Sequence, residues 1–390
     1  MQELSIEKLA NLPAVVRALE GISTLQNSFI AEITSIAEIP APTFFEGERA
    51  QYLSQRFREE GLDKVTIDDA GNVYGWWPGE DEKAGLLLVV AHLDTVFPLG
   101  TDVKVREEGS RLYGPGVGDD STGLAALVLL ARLLKQYQLH MRRSVLLAGS
   151  TGEEGLGDLK GMKALLGLFR DQVRTVLAVE PGPLGRIVNQ GVGSRRHKIT
   201  CRTEGGHSWG AFGRPSAIHT LGRMIAAIAD LEVPKEPKTT FNVGLIAGGT
   251  SVNTIAPTAE MTIDLRSVDE GQLLGLEQRV KELVLEIARK DGVEVGFQLL
   301  GDRPAGGIAP EHPLVRKIME IHRYLGVPSA LQASSTDANV PFSLGLPAVT
   351  IGLTHGGNGH RLDEYIETEP LPTGLKQLLL AVLALAELTR

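Results

Sequence analysis

The chain has 390 residues, 43% of them apolar and 22% charged, with a formal net charge of −9 and one cysteine. That length is enough for two or three domains around large apolar cores. The acidic balance excludes nucleic acid and an anionic membrane as main partners, because both need a basic footprint. The lone Cys201 excludes an intrachain disulfide and a cysteine-based zinc site, and it fits a cytoplasmic location.

In chain order, Leu4, Leu9, Leu12, Val16 and Leu19 fall at the spacing of a short amphipathic surface helix. The stretch lacks the basic start and apolar run of a signal peptide. The runs GLLLVVA (85–91), SVLLAG (144–149) and TVLAV (175–179) are apolar on both faces, as strands buried in a largely parallel sheet are. The helical segment STGLAALVLLARLLKQY (121–137) falls between the first two, and PAVTIGL (347–353) supplies a fourth strand of the same kind. The C-terminal LKQLLLAVLALAELTR is interrupted by charges and reads as a core helix, and no apolar stretch is clean and long enough to span a membrane. The fold class is therefore α/β, a largely parallel sheet flanked by helices.

Residues 195–302 read differently. RRHKITCR, TFNVGLIAG, TAEMTIDLRS and VEVGFQLL are strands, separated by helices over RPSAIHTLGRMIAAIADL and SVDEGQLLGLEQRVKELVLEIARKDG. In TAEMTIDLRS, Ala259, Met261, Ile263 and Leu265 lie on one side, and Glu260, Thr262, Asp264 and Arg266 on the other. The order βαββαβ is the split ferredoxin-like unit. It divides the chain into a first domain built from 1–194 and 303–390 and a second domain, 195–302, inserted into it.

Chemistry-bearing residues collect at the carboxyl ends of the first domain's strands, the edge where open α/β sheets bind ligands. His92 and Asp94 follow the first strand, Glu153 and Glu154 the second, Glu180 the third and His360 the fourth. Asp119 sits in GPGVGDDSTG, which leads into a helix. Each has a plain alternative: Asp119 as a helix N-cap, the Glu pair as solvated charges, Glu180 as a turn residue. The conjunction points instead to a hydrolytic metal site with His and carboxylate ligands. Two metals sharing a carboxylate can acidify water and polarise a carbonyl, and a carboxylate that is not a ligand then handles the proton. Asp94 is placed to accept the second imidazole N–H of His92. GPGVG lacks the GK[ST] ending and the GxGxxG spacing of phosphate loops.

AHLDTV, GPGVGDDSTG, GSTGEEGLG, AVEPG, GGHSWGAFGRPSAI, AGGTSVNTIAPTAEMTIDLRS and GNGHRLDEY, in that order, resemble the dinuclear zinc exopeptidases and deacylases. That family includes glutamate carboxypeptidase, aminoacylase, acetylornithine deacetylase, succinyl-diaminopimelate desuccinylase and peptidase T. The resemblance implies two divalent ions, zinc foremost with cobalt or manganese as alternatives. His92, Asp119 and Glu180 would hold one ion and Asp119, Glu154 and His360 the other, with Glu153 as general base and Asp94 orienting His92. It makes the inserted domain a lid that also carries a possible homodimer contact. There His207 would stabilise the developing oxyanion, in cis or across a dimer. Asn253 and Arg266 would bind substrate polar groups, Arg266 a carboxylate. The family's metal loop usually reads Asp-x-Lys-x-Gly where this chain has Asp119-Asp120-Ser121-Thr122-Gly123; the lysine is missing and Asp120 is a second carboxylate that competes with Asp119 as the bridge, and His355 competes with His360. The expected activity is hydrolysis of an amide or peptide bond in a small peptide or N-acyl amino acid. The alternatives are a non-catalytic binder of peptides or amino acids on the same fold, and a ureidolytic C–N hydrolase.

Overall fold

The computed structural model describes residues 5–389, so Leu4 lies outside it. Two compact units divide the chain: Met1–Gln190 with Gly307–Arg390, and Gly191–Gly306.

The larger unit is built on a nine-stranded sheet. Its centre is four parallel strands in the order Ser144–Ser150, Leu86–His92, Val173–Val179, Ala348–Ile351. Leu86–His92 is buried at every position, and its residues alternate between two cores. Leu87, Val89 and Ala91 pack with helices Gln26–Ala37, Ser121–Gln136 and Leu371–Leu385. Leu86, Leu88 and Val90 pack with helix Lys160–Phe169 on the other face. A strand apolar on both faces can only sit inside a sheet covered on both sides.

The sheet is extended by antiparallel strands that the sequence pattern did not reveal. Asp63–Ile67 and Val73–Trp77 add to one side, and Arg186–Gly191 to the other. The outermost, Asp63–Ile67, is exposed at four of its five positions and so has no apolar run to mark it. A separate small sheet joins Gly356–Gly357, Tyr365–Glu367, Arg111–Tyr113 and Arg106–Glu108. It ties the C-terminal loop to the strand that precedes the Gly-rich segment.

The predicted N-terminal surface helix is two helices, Ile6–Ala10 and Pro13–Ile22, and their inner faces are core. Pro13 explains the break, since it has no N–H to continue the first helix and is suited to the first turn of the second. The buried stripe of the second helix is Val15, Ala18 and Ile22, with Val16 and Leu19 at its margin.

The inserted unit has the order βαββαβ. Strands Gly193–Arg202, Thr239–Gly248, Thr258–Ser267 and Glu294–Arg303 form one antiparallel sheet. Thr239–Gly248 and Glu294–Arg303 are its edges. Burial alternates along Thr258–Ser267 as the sequence predicts, and Met261, Ile263 and Leu265 join Ile199 and Cys201 under helices Ala217–Ala229 and Glu270–Asp291. The second helix is capped at both ends, by the Asp269 side chain on the Gln272 N–H and by left-handed Gly292.

Candidate metal centre

The parallel register makes the site. His92 pairs with Ser150 and Ile351 with Val179, so neighbouring strands end level and release their next residues at one edge. There His92 Nε2 lies 2.8 Å from Asp119 Oδ1. His360 Nε2 lies 3.1 Å from Asp119 Oδ2 and 3.0 Å from Glu154 Oε1. Asp119 thus turns one oxygen to each histidine. His92, Asp119 and Glu154 each offer a ligand atom, all within 4.8 Å of one another. Glu180 lines the same cleft as Asp119 and His360, and its Oε1 accepts the Asp337 N–H at 3.0 Å.

The ambiguities of the sequence divide along chemical lines. Asp120, not Asp119, caps helix Ser121–Gln136: its carboxylate accepts the Gly123 N–H at 3.1 Å and the His92 N–H at 3.1 Å. Asp119 is left to face the cleft. His360, not His355, reaches Asp119 and Glu154. His360 is held at φ 65, left-handed backbone that few non-glycine residues adopt and that here aims the ring.

Asp94 does something other than expected. His92 Nδ1 is 2.9 Å from the main-chain carbonyl of Asp94, while the Asp94 carboxylate is 3.7 Å away. That carboxylate instead accepts the N–H groups of Glu153 and Glu154, both at 2.9 Å, and the Thr43 hydroxyl at 2.8 Å. Asp94 fixes the His92 tautomer through its backbone and holds the Glu-Glu turn through its side chain.

Further residues hold the metal loops and went unread in the sequence. The Glu364 carboxylate accepts the N–H groups of Gly116, Gly118 and Asp119 at 3.3, 2.8 and 2.9 Å. A Cβ on Gly118 would stand 3.0 Å from Glu364 Oε1, which explains a glycine there. Glu46 accepts the Gly152 N–H at 3.1 Å. Arg49, 1% exposed, donates to the carbonyls of Leu93 at 2.9 Å and Ile39 at 2.7 Å. One signal was available: Arg49, Leu53 and Phe57 share a helical stripe, so a cation occupies a core position.

The electrostatics suit divalent cations. Burial first, then Asp337 and Asp119, push Glu180 up to about 8 against the pull of His92. Burial raises Asp120 well above the usual carboxylate range. Burial opposes charge on both members of the Asp119–His92 pair, but the contact wins: Asp119, bonded to both histidines, is lowered and His92 is raised. Crowded carboxylates around two imidazoles, with no cysteine, are the oxygen-and-nitrogen donor set of zinc and similar ions, so the residues fit the implied metals.

Among the inserted unit's expected residues, His207 and Asn253 come together and Arg266 stands apart. Strand Gly206–His207 pairs with Thr254–Ile255, and the Ser208 N–H reaches the Asn253 carbonyl at 3.0 Å. His207 Nδ1 accepts the N–H groups of Trp209 and Gly210 at 3.2 and 3.3 Å. Arg266 lies at the far end of strand Thr258–Ser267, paired with Ser194, while Thr258, at the end nearer Thr254–Ile255, pairs with Arg202. Eight residues of extended chain separate them, roughly 27 Å. The Arg266 Nε donates to Asp264 at 2.6 Å.

Residues 88–384 match peptidase family M20/M25/M40. The chain belongs to this family. It is 24% identical to carboxypeptidase G2 of Pseudomonas sp. (strain RS-16) over 390 residues, covering 95% of this chain and 86% of that one. It is 27% identical to acetylornithine deacetylase of Edwardsiella ictaluri over 336 residues, 80% and 84% of the two chains. A Bacillus subtilis dinuclear metal-binding peptidase of the M20 family has the same fold, with a TM-score of 0.71, 17% identity, and coverage of 94% of this chain and 100% of that one. This M20-family chain is a hydrolytic enzyme of the metallopeptidase and amidohydrolase kind, acting on amide or peptide bonds.

Proposed function

We propose that the enzyme hydrolyses a small peptide or N-acyl amino acid bearing a free carboxylate, at a two-metal centre. In this reading His92, Asp119 and Glu180 hold one ion and Asp119, Glu154 and His360 the other. Zinc suits the donors best, with cobalt or manganese as alternatives. The observation that carries the reading is Asp119, whose two oxygens face two different histidines. The Bacillus subtilis relative is described as dinuclear, which supports two ions here. When bound, the ions supply Lewis acidity toward the scissile carbonyl and make water a better acid.

The protein's own groups do the rest. Glu153, buried and held through its N–H by Asp94, takes the proton from water and delivers it to the leaving nitrogen. His207 has Nδ1 engaged as an acceptor, which leaves Nε2 as the donor suited to a developing oxyanion. Asn253, tied to the same strand pair, is a second polar contact. Arg266 pairs with the substrate carboxylate through the part of its guanidinium not engaged by Asp264.

Within one inserted unit, Arg266 stands at the opposite end of strand Thr258–Ser267 from the strand pair that carries His207. Their separation supports a homodimer in which a site takes Arg266 from one copy and His207 and Asn253 from the other. The edge strand Thr239–Gly248, with Leu245 and Ile246 exposed, is a fitting surface for such pairing. The buried single cysteine supports a reducing, cytoplasmic location.

The test is hydrolysis of dipeptides, tripeptides and N-acyl amino acids by protein loaded with zinc, cobalt or manganese, before and after Glu153→Ala. The change should lower kcat by about 10²-fold or more and leave metal content intact. Full turnover in the variant would remove Glu153 from the role.

A further inference from the structure

Asp119, Glu180 and His360 line one end of a single cleft, a cavity of about 330 Å³ in all. That is near the lower end of small-molecule pockets, roughly 300–1,000 Å³, so it takes one compact group and not a length of peptide. The side chains that give it shape are Pro181, Leu353, Tyr365 and Ile366, and much of the remaining wall is glycine.

Apart from the three that face the metals and the Tyr365 hydroxyl, its polar side chains are already engaged. The Thr122 hydroxyl donates to the Val117 carbonyl at 2.8 Å, and the Thr354 hydroxyl to the Glu367 carbonyl at 2.5 Å. Glu364 holds three loop N–H groups, and Asp120 holds those of His92 and Gly123. No lysine or arginine lines the cavity among the described residues. Away from the metal-facing edge, an anionic group would find the Glu364 and Asp120 carboxyls already committed to loop N–H groups and no lysine or arginine to receive it, whereas an apolar group would meet Leu353, Ile366 and the Tyr365 ring.

Resting on the hydrolase reading above, we propose that this cavity is the specificity pocket for the group beside the scissile amide. It takes an uncharged apolar group, a branched aliphatic chain or one aromatic ring, and rejects a carboxylate. The substrate's own carboxylate is met elsewhere, by Arg266.

The experiment compares kcat/KM of the metal-loaded enzyme for matched pairs: Leu-Gly against Glu-Gly, Gly-Leu against Gly-Glu, N-acetyl-leucine against N-acetyl-glutamate, and N-isovaleryl-glycine against N-succinyl-glycine. In the series that is cleaved, the apolar member should lead by about 100-fold, the scale expected when binding is set by one group in a shaped pocket. Leu353→Ala and, separately, Ile366→Ala should each move the phenylalanine-to-leucine ratio about tenfold toward the larger group. Being a ratio within one variant, this readout is insensitive to loss of folded protein. A carboxylate-bearing member cleaved as well as its apolar partner overturns the pocket, and so does an unchanged ratio in both variants. If no compound is turned over, the hydrolase reading itself has failed. Calorimetry on metal-loaded Glu153→Ala protein then decides the pocket alone: N-acetyl-leucine binding more tightly than N-acetyl-glutamate supports it, and the reverse order overturns it.

Discussion

The two units hold their functional groups in opposite ways. In the larger unit, His92, Glu153, Glu154 and Glu180 are buried, and each candidate loop is held by a buried side chain: the Glu-Glu turn by Asp94, the Gly-rich segment by Glu364, Leu93 by Arg49. In the inserted unit, His207 and Asn253 are exposed and held mainly by main-chain contacts, and Arg266 lies on an open sheet face. Groups that bind ions must be fixed before the ion arrives; groups that meet a substrate need only be presented. Damage to the first unit should therefore appear as lost metal, and damage to the second as lost turnover with the metal retained.

The largest effect is expected from Asp119→Ala. Removing the carboxylate between the two histidines should abolish metal loading and lower activity by about 10⁴-fold, the order seen when metal and base chemistry are both lost. Mass spectrometry of native protein checks it; a variant still carrying two ions would break the comparison on the side of the larger unit. Next comes His207→Ala, with an expected loss of about 10²–10³-fold in kcat, the scale of one oxyanion donor, and unchanged metal content. Leu245→Asp on the edge strand should give monomers in sedimentation and the same kcat loss, if His207 serves the partner's site. Active monomers would return His207 to its own chain's site. Asp94→Asn keeps the shape but weakens the hold on the Glu153 and Glu154 amides, so about 10–100-fold loss in metal affinity or activity is expected, measured by chelator competition.

The smallest effect is in pH. Glu364 is pushed up to about 7, first by burial and then by Asp119, and Glu180 to about 8 by burial, then by Asp337 and Asp119 against His92. Unfolded, such carboxyls ionise near 4.5. Between these values the folded state binds more protons than the unfolded one, so stability falls as pH rises. Chelated protein should melt several degrees lower at pH 8 than at pH 5, and saturating zinc should remove most of that slope. A melting temperature that rises over this interval in chelated protein would contradict the assignment.

Much of the cluster gathered at the strand ends was legible, because apolar strands that end abruptly in His or carboxylate leave a plain signature. His92, Glu154, Glu180 and His360 were found that way, and the inserted sheet was found from period-two alternation at residues 259–266. Asp94's true task was not legible. A carboxylate two residues from a histidine looks like its partner, and only the fold shows the Glu153 and Glu154 amides arriving from 59 and 60 residues away. Glu364 was hidden for the same reason, since its amides lie some 245 residues earlier. The separation of Arg266 from His207 required strand register, which composition does not encode.

The Glu364 latch has a consequence for biosynthesis. The Asp119 N–H is held by residue 364, the second histidine facing its carboxylate is residue 360, and the fourth parallel strand is Ala348–Ile351. A chain still being translated, or one cut short before that strand, owns most of the ligands yet cannot assemble the centre. Hydrolytic competence therefore waits until the chain has been made past residue 364. Truncations that remove residues 348–364 should be inert even where they remain folded.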